Sequence, residues 1–259
     1  MLRLGNLVDA ATTAGFAGIA LADSGELERA TARADQGIRI ADEIGNPFAR
    51  AAVRYFRGHV RSDRGEWASA LEDFEEGRRI AEAVGDRFRV YTIKVYEGRA
   101  WTMVGEPARA RAILEECIAI AEQLGTKLFL SRPKAFLAEC LLALGEGEAA
   151  AVAAEEGLRV AEETGERHGN ALARRALAQA CLRRTPSDPQ RADAMILAAM
   201  ELQWESGEEP ELARSYVVWA NLLTTQGERE KAQRALSEAI TMFRAMGMAW
   251  DLERAQRLL

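Results

Sequence analysis

Small and apolar residues recur along this chain in a pattern with a period of 40 residues. The segment GEWASALEDFEEGRRIAEAVG at 65–85 has relatives at 25–45, 105–125 and 145–165, and each of them opens with Gly-Glu and closes with Gly. The small and apolar positions in each copy follow helical spacing. Self-similarity at this period predicts a stack of repeated units, each of which buries its apolar face against its neighbours.

Glycines divide each repeat into two helices, which we call A and B. Helix A follows one glycine, as in 46–63, and helix B follows the next, as in 66–84. Glycine is expected here because it adopts the left-handed conformation beyond a helix end at little energetic cost. With looser copies ending at Gly207 and Gly247, the sequence predicts about 13 helices. The predicted A–B pairs are 5–44, 45–84, 85–124, 125–164, 165–206 and 207–246, followed by a capping helix at 247–259.

Two positions give sharper local expectations. Asn6 matches Asn46 one period later, so the first helix should begin near Asn6. Pro133 lies where the two preceding repeats are in mid-helix. Because proline lacks an N–H group and clashes with the preceding turn, helix A of the fourth repeat should kink or begin late.

Small residues form one column in helix A and another in helix B. The columns are Gly18, Gly58, Gly98, Ala138, Ala178 and Ala220, and Ala30, Ala70, Ala110, Ala150, Ala192 and Ala232. This arrangement resembles the tetratricopeptide repeat (TPR), whose helix A carries a small residue and whose helix B carries an alanine. The resemblance covers 5–247 and implies an all-α, right-handed α-solenoid of antiparallel helix pairs. The repeat departs from the family in length, since it has 40 to 42 residues where the family has about 34.

Composition limits the location and the partners. No apolar run approaches the roughly 20 residues of a membrane span, and the start MLRLGN lacks the form of a signal peptide, so a cytoplasmic location is expected. Cys117, Cys140 and Cys181 lie within helical patterns without CxxC spacing. Reduced core thiols are therefore predicted rather than disulfides or a zinc site. A net charge of −6 argues against a nucleic-acid partner.

Charge is divided between the two helix types. The B-helix segments are rich in acidic residues and the A-helix segments in basic ones. Four basic residues recur every 40 positions in helix A, and we call them the ladder: Arg54, Lys94, Lys134 and Arg174. Two interpretations are open. Either the opposite charges pair between A and B helices, or the ladder faces a groove and binds carboxylates or phosphates, for which the guanidinium fork is well shaped.

The resemblance also implies where a binding groove would lie. In the tetratricopeptide fold helix A lines the concave side, so the groove would be basic. By the family's pattern the groove-facing positions are Tyr55, His59, Arg99, Arg175 and Gln179, which lie next to the ladder. A small rotation of helix A decides which set lines the groove. We expect a shared basic groove that uses both sets.

Catalytic chemistry has little support. His59 and His168 are the only histidines, and they fall in different repeats. The sequence therefore supplies few of the residues that a metal cluster or a histidine-based triad needs. We interpret His59 as a groove residue and His168 as a surface residue in a first turn. The carboxylates show no isolated apolar setting that would raise the pKa of one for acid catalysis. The sequence therefore predicts no enzyme, catalytic residue, cofactor or metal.

Two functions are compatible with these features. The first is a non-catalytic protein–protein interaction module, a scaffold or regulatory domain that binds an acidic or extended segment of a partner in a basic concave groove. The alternative is a regulatory sensor for a small anionic effector or signalling peptide. The final segment FRAMGMAWDLERAQRLL is also similar to the C-terminal arrays of bacterial ATP-dependent transcription regulators and of ATPase–nucleotide cyclase fusions.

Overall fold

In a computed structural model, which describes the backbone of residues 2–259 and the side chains of residues 6–259, the chain is all-α. Within those residues it forms thirteen helices and no strand. The helices are α1 (Leu2–Asp23), α2 (Leu27–Ile44), α3 (Pro47–Asp63), α4 (Trp67–Ala83), α5 (Arg87–Met103), α6 (Pro107–Gln123), α7 (Ser131–Ala143), α8 (Gly147–Thr164), α9 (Arg167–Arg183), α10 (Pro189–Ser206), α11 (Glu209–Thr225), α12 (Arg229–Met246) and α13 (Ala249–Gln256). The odd-numbered helices α1 to α11 are the predicted A helices, the even-numbered ones are the B helices, and α13 follows the last pair. The predicted stack of helix pairs is confirmed.

The start of α1 differs from its expected position. The helix begins at Leu2 rather than near Asn6. In α3, Asn46 is the N-cap, and its side chain accepts a hydrogen bond from the Ala49 amide. The next residue, Pro47, has no N–H and stops that helix from extending backwards. Asn6 is followed by a leucine, which keeps its N–H, so the helix continues through this position.

The other helix ends agree with the sequence pattern. Helix α7 begins at Ser131, which places Pro133 in the first turn, where proline is tolerated. The predicted late start is confirmed. Gly125, with φ of 64°, and Gly165, with φ of 71°, are two of the repeat glycines that hold the left-handed conformation. A residue with a Cβ would be strained at either position.

The small-residue columns allow the helices of a pair to pack closely. A Cβ on Gly58 would lie 2.4 Å from the Phe74 ring, and a Cβ on Gly98 would lie 2.5 Å from Leu114. Both neighbours come from the B helix of the same repeat. Ala110, in the second column, is fully buried. The columns therefore mark the contact between helix A and helix B, as the sequence predicts.

The A helices form the inner layer of the stack and the B helices the outer layer. Ten residues of α5 are buried, against four of α6, because each A helix packs against the A helices before and after it as well as against B helices. The three cysteines are buried as free thiols. Among the helices of the described residues, none combines the length and apolar character that crossing a bilayer requires.

The stack curves until its C-terminal end contacts its second repeat. The indole rings of Trp67 and Trp250 lie 5.7 Å apart, edge to face. The Arg214 guanidinium donates to the backbone carbonyls of Ser62 and Asp63, both at 3.1 Å. The A helices therefore surround a central space, which we call the lumen, and residues distant in sequence meet there.

Candidate functional site

The four ladder residues lie between A and B helices and form ion pairs there. The pairs are Arg54 with Asp42 at 3.3 Å, Lys94 with Glu116 at 2.7 Å, Lys134 with Glu156 at 2.5 Å and Arg174 with Glu162 at 3.1 Å. Every partner is a carboxylate on a B helix, and the Lys94 side chain is only 7% exposed. This geometry matches the interpretation in which the opposite charges of the two helix sets pair. A role for the ladder in binding stays a prediction.

The second predicted set lies in the lumen. Tyr55, His59, Arg99 and Arg175 are buried, and Gln179 is half-buried. The structure brings Arg99, Arg175 and Gln179 to one cavity, while Tyr55 and His59 pack elsewhere around the ring of Tyr96. The positions implied by the tetratricopeptide resemblance therefore divide between two parts of the lumen.

A single carboxylate organises the arginines at the centre of the lumen. Glu211 accepts from Arg99 at 2.8 Å, from Arg175 at 2.5 Å and from Arg214 at 2.6 Å. Burial alone would raise the pKa of Glu211, but these three guanidinium groups outweigh it and hold the pKa well below its usual value. We call these four residues the Glu211 hub. They join α5, α9 and α11, and none of the four is more than slightly exposed.

Beside the hub lies a cavity of about 700 Å³, which we call the arginine cavity. Its lining includes six arginines, Arg99, Arg175, Arg183, Arg214, Arg254 and Arg257, against two carboxylates, Glu139 and Asp251. Four of the arginines pair with carboxylates. Arg183 and Arg254 are exposed and form no ion pair within the described residues, and Arg254 lies over the Trp250 ring at 4.5 Å. Two cationic groups are thus available to a ligand at the rim.

A different group of side chains lies where α1 and α3 end, and we call it the inner cluster: Asp23, His59 and Asp63. Burial raises the pKa of Asp23 to about 6 and raises that of Asp63 well above its usual value. Burial also lowers the pKa of His59 well below its usual value, and the nearby charge of His168 lowers it further. The expectation that no carboxylate has its pKa raised by its setting is therefore wrong, because the curvature of the stack encloses these residues.

His168 also differs from its expected place. Its side chain is 17% exposed, and its Nδ1 lies 2.9 Å from Glu208 Oε2. The interpretation of His168 as a surface residue is wrong, because the first turn of α9 faces the loop before α11.

Asp23, Asp63, Glu211 and Arg214 are the site residues that sequence reasoning missed. The sequence contains a partial signal for two of them. Asp23, Asp63 and Arg183 follow one another at intervals of 40 and 120 residues and hold the same place in their repeats, the last residue of helix A. Met103 and Ala143 hold the same place in the two repeats between them, so this interrupted column is a weak signal and does not show that the stack closes into a lumen.

Known structures share this architecture. The apo form of RapI superposes with a TM-score of 0.73 at 13% sequence identity, covering 92% of this chain and 84% of that chain. A Rap protein complexed with Competence and Sporulation Factor gives 0.71 at 11% identity, covering 98% and 80%. NprR in complex with its cognate peptide NprX gives 0.69 at 13% identity, covering 94% and 72%. No protein-family model matches the sequence, and no curated protein matches it.

At these low identities the likeness shows the fold. The fold is that of a TPR-like helical repeat protein, and the resemblance inferred from the small-residue columns is confirmed at that level. The class is defined by stacked helix pairs around a concave inner surface, and here that surface is closed into a lumen with a cationic cavity.

Proposed function

We propose that the protein is a non-catalytic interaction module that binds an acidic or extended peptide segment in the arginine cavity. The observation that carries the proposal is the excess of guanidinium groups around this cavity, with Arg183 and Arg254 unpaired at its rim among the described residues. Guanidinium groups bind carboxylates in a bidentate manner, and their attraction strengthens where water is partly excluded.

The shape of the cavity supports a short ligand. Its volume of about 700 Å³ falls within the range of about 300–1,000 Å³ that small-ligand sites occupy. The contact between Trp67 and Trp250 closes the stack on itself, so a long partner helix has no open groove along the whole array. NprR, of similar fold, is known in complex with a cognate peptide. These observations favour a peptide end, or a short anionic signalling peptide, over a long docked segment.

In this proposal the predicted site residues play different roles. Arg99 and Arg175 hold the cavity wall through Glu211, and Gln179 presents its amide to the ligand. The ladder residues, being paired with B-helix carboxylates, would contribute to stability more than to contact. Tyr55 and His59 would shape the lumen without touching the peptide. A cytoplasmic, regulatory or scaffold role stays a prediction that follows from the same proposal.

Fluorescence anisotropy with labelled peptides tests the proposal. A short Glu-rich peptide should bind the wild-type protein, and its Gln-rich counterpart should not. Changing Arg183→Glu and Arg254→Glu together should weaken binding at least tenfold. The matched control is Arg39→Glu with Arg234→Glu, which reverses two exposed charges on the outer layer. Equal loss of binding in the control pair would show that net charge, not the cavity, governs binding.

Salt dependence separates the two candidate ligands. A peptide held at the rim by two exposed guanidinium groups should bind more weakly as salt increases, because exposed charges are screened. A long acidic partner that lies along the array would show a steeper dependence and would also lose affinity when the ladder residues are reversed. Measuring both peptide lengths across a salt series therefore distinguishes the sensor from the scaffold.

A further inference from the structure

Asp23, His59 and Asp63 bring one imidazole and two carboxylates together in the lumen. His59 and Asp63 are four residues apart on one face of α3, and Asp23 ends α1. One ligand-type atom from each side chain lies within 4.8 Å of the others, and His59 Nε2 is 3.7 Å from Asp63 Oδ2. That distance is too long for a hydrogen bond. It is close to the roughly 3.4 Å that separates two ligands of one tetrahedral zinc ion.

Polar atoms of this cluster have no protein partner. His59 is 4% exposed and Asp63 is 3% exposed. His59 Nδ1 and Asp63 Oδ2 are buried, and neither hydrogen-bonds to a group in the described part of the chain. Arg214 lies 3.9 Å from the other oxygen of Asp63, so Oδ2 is left facing His59. Because buried polar groups are nearly always partnered, the unpartnered Asp63 Oδ2, which faces His59 Nε2, indicates a missing ligand.

The carboxyl groups of Asp23 and Asp63 have no closely paired cation among the described residues. The nearby arginines have carboxylates of their own: Arg99 with Glu211, Arg132 with Glu166, Arg175 with Glu139 and Arg214 with Asp251. Asp23 forms no ion pair among the described residues, and Asp63 has only the long contacts to His59 and Arg214. A dication would stabilise both carboxyl groups in their charged, deprotonated form.

We propose that Asp23, His59 and Asp63 bind a divalent transition-metal ion of the Zn²⁺ class. One imidazole with two carboxylates suits Zn²⁺, whereas Mg²⁺ and Ca²⁺ prefer ligand sets made of oxygen alone. The ligand atoms lie within 4.8 Å of one another, so side-chain rotations that shorten the longest separation by up to about 1.4 Å would give the spacing of a tetrahedral site. Three protein ligands leave a fourth position, which a water or a group entering the lumen would fill. The ion would join the end of α1 to α3.

Titration of Zn²⁺ into the chelator-treated full chain tests the site. One equivalent should bind and raise the melting temperature, and Mg²⁺ at the same concentration should not. His59→Gln and Asp63→Asn should each weaken Zn²⁺ binding at least tenfold. Asp9→Asn, which removes an exposed carboxylate from α1, should leave the affinity unchanged. Absence of binding by the wild-type protein, or equal affinity in all the variants, would overturn the proposal.

A spectroscopic measurement avoids substitutions at the ligands themselves. The chain has two histidines, so His168→Gln leaves the imidazole of His59 as the single one in the molecule. Its NMR signals should shift when one equivalent of Zn²⁺ is added and should return when a chelator removes the ion. Signals that stay unchanged at a tenfold excess of Zn²⁺ would contradict the assignment of His59 as a ligand, whatever the stability of the ligand variants.

Discussion

Two parts of the lumen carry opposite chemistry on one scaffold. In the arginine cavity, guanidinium groups outnumber carboxylates, and two of them are exposed and unpaired within the described residues. In the inner cluster, two carboxylates and an imidazole are enclosed, with buried atoms that have no described partner. The Glu211 hub lies between them. The comparison teaches that the helical stack fixes where side chains meet, while the chemistry of each place depends on single residues.

The repeat pattern shows the same point in sequence. One column, four residues before the end of helix A, runs His59, Arg99, Glu139 and Gln179. These positions are equivalent in their repeats, yet they hold an imidazole, a cation, an anion and an amide. Each repeat therefore presents the same backbone geometry to the lumen with a different functional group, and specificity varies along the lumen without any change of fold.

Removal of the hub's negative charge should have the largest effect on stability. Glu211→Gln leaves three buried guanidinium groups without their shared acceptor. We expect a loss of about 3–5 kcal/mol in the free energy of unfolding, which is typical when one partner of a buried ion pair is removed. Urea denaturation measures the loss, with Glu201→Gln, an exposed residue of α10, as the control. A loss below about 1 kcal/mol, the range of exposed ion pairs, would contradict a buried hub in which Glu211 is the shared acceptor.

The inner cluster should make the metal-free protein less stable as pH rises. The pKa of Asp23 is about 6 in the fold and 3.8 in the unfolded chain. Because the folded value is the higher one, this contribution to stability is fully present below pH 3.8 and is lost as pH rises through about 6. The whole loss is up to about 3 kcal/mol by linkage, and about 1.4 kcal/mol of it falls between pH 5 and pH 7.5. Denaturation of wild-type protein and Asp23→Asn at pH 5 and pH 7.5, with chelator, measures it. We expect the wild-type protein to lose stability relative to Asp23→Asn over this interval. An equal change in the two proteins would contradict the burial of Asp23.

Overpacking away from the lumen should have a moderate effect. Ala110 is fully buried at the contact between α5 and α6. Ala110→Leu should reduce stability by roughly 1–3 kcal/mol, because the added carbons have no space. Ala149→Leu places the same side chain at an exposed position of α8 and serves as the control. Thermal melts compare the two. Peptide binding by Ala110→Leu should stay intact, since the cavity lies on the inner layer.

The smallest of these effects is expected at a repeat glycine. Gly125 has φ of 64°, and a Cβ there would meet no atom within 4 Å. Gly125→Val should therefore reduce the free energy of unfolding by about 1–2 kcal/mol, the cost of holding valine in the left-handed conformation. No steric clash should add to this cost. Gly125→Asn, which tolerates the left-handed conformation better, should lose less. Equal melting temperatures for glycine, asparagine and valine would show that this turn is not held in the left-handed region in solution.

Much of the fold could be predicted from the sequence, because local rules decide it. Glycine positions gave the helix ends, and the small-residue columns identified the contact between α3 and α4 and between α5 and α6. The late start of α7 followed from Pro133. The start of α1 could not be predicted from Asn6, because asparagine caps a helix only where the next residue or the packing stops the helix from extending.

The lumen could be predicted only in part. Arg99, Arg175 and Gln179 were placed by the family's pattern, but the contacts of Arg214 with Ser62 and Asp63 span more than half of the chain. Such contacts depend on the small rotation between successive repeats, which accumulates over the array. The sequence period gives the repeat but not that angle. The ladder shows the same limit, since a rotation of helix A decides whether Lys94 faces Glu116 or the lumen.

The most direct test of the account is a reversal of specificity at the rim of the arginine cavity. Two labelled peptides of equal length, one rich in Glu and one rich in Lys, are titrated into the wild-type protein and into the variant carrying Arg183→Glu and Arg254→Glu. The account predicts that the wild-type protein prefers the Glu-rich peptide and that the variant prefers the Lys-rich one. A variant that keeps the wild-type preference would show that the cavity is not where the peptide binds.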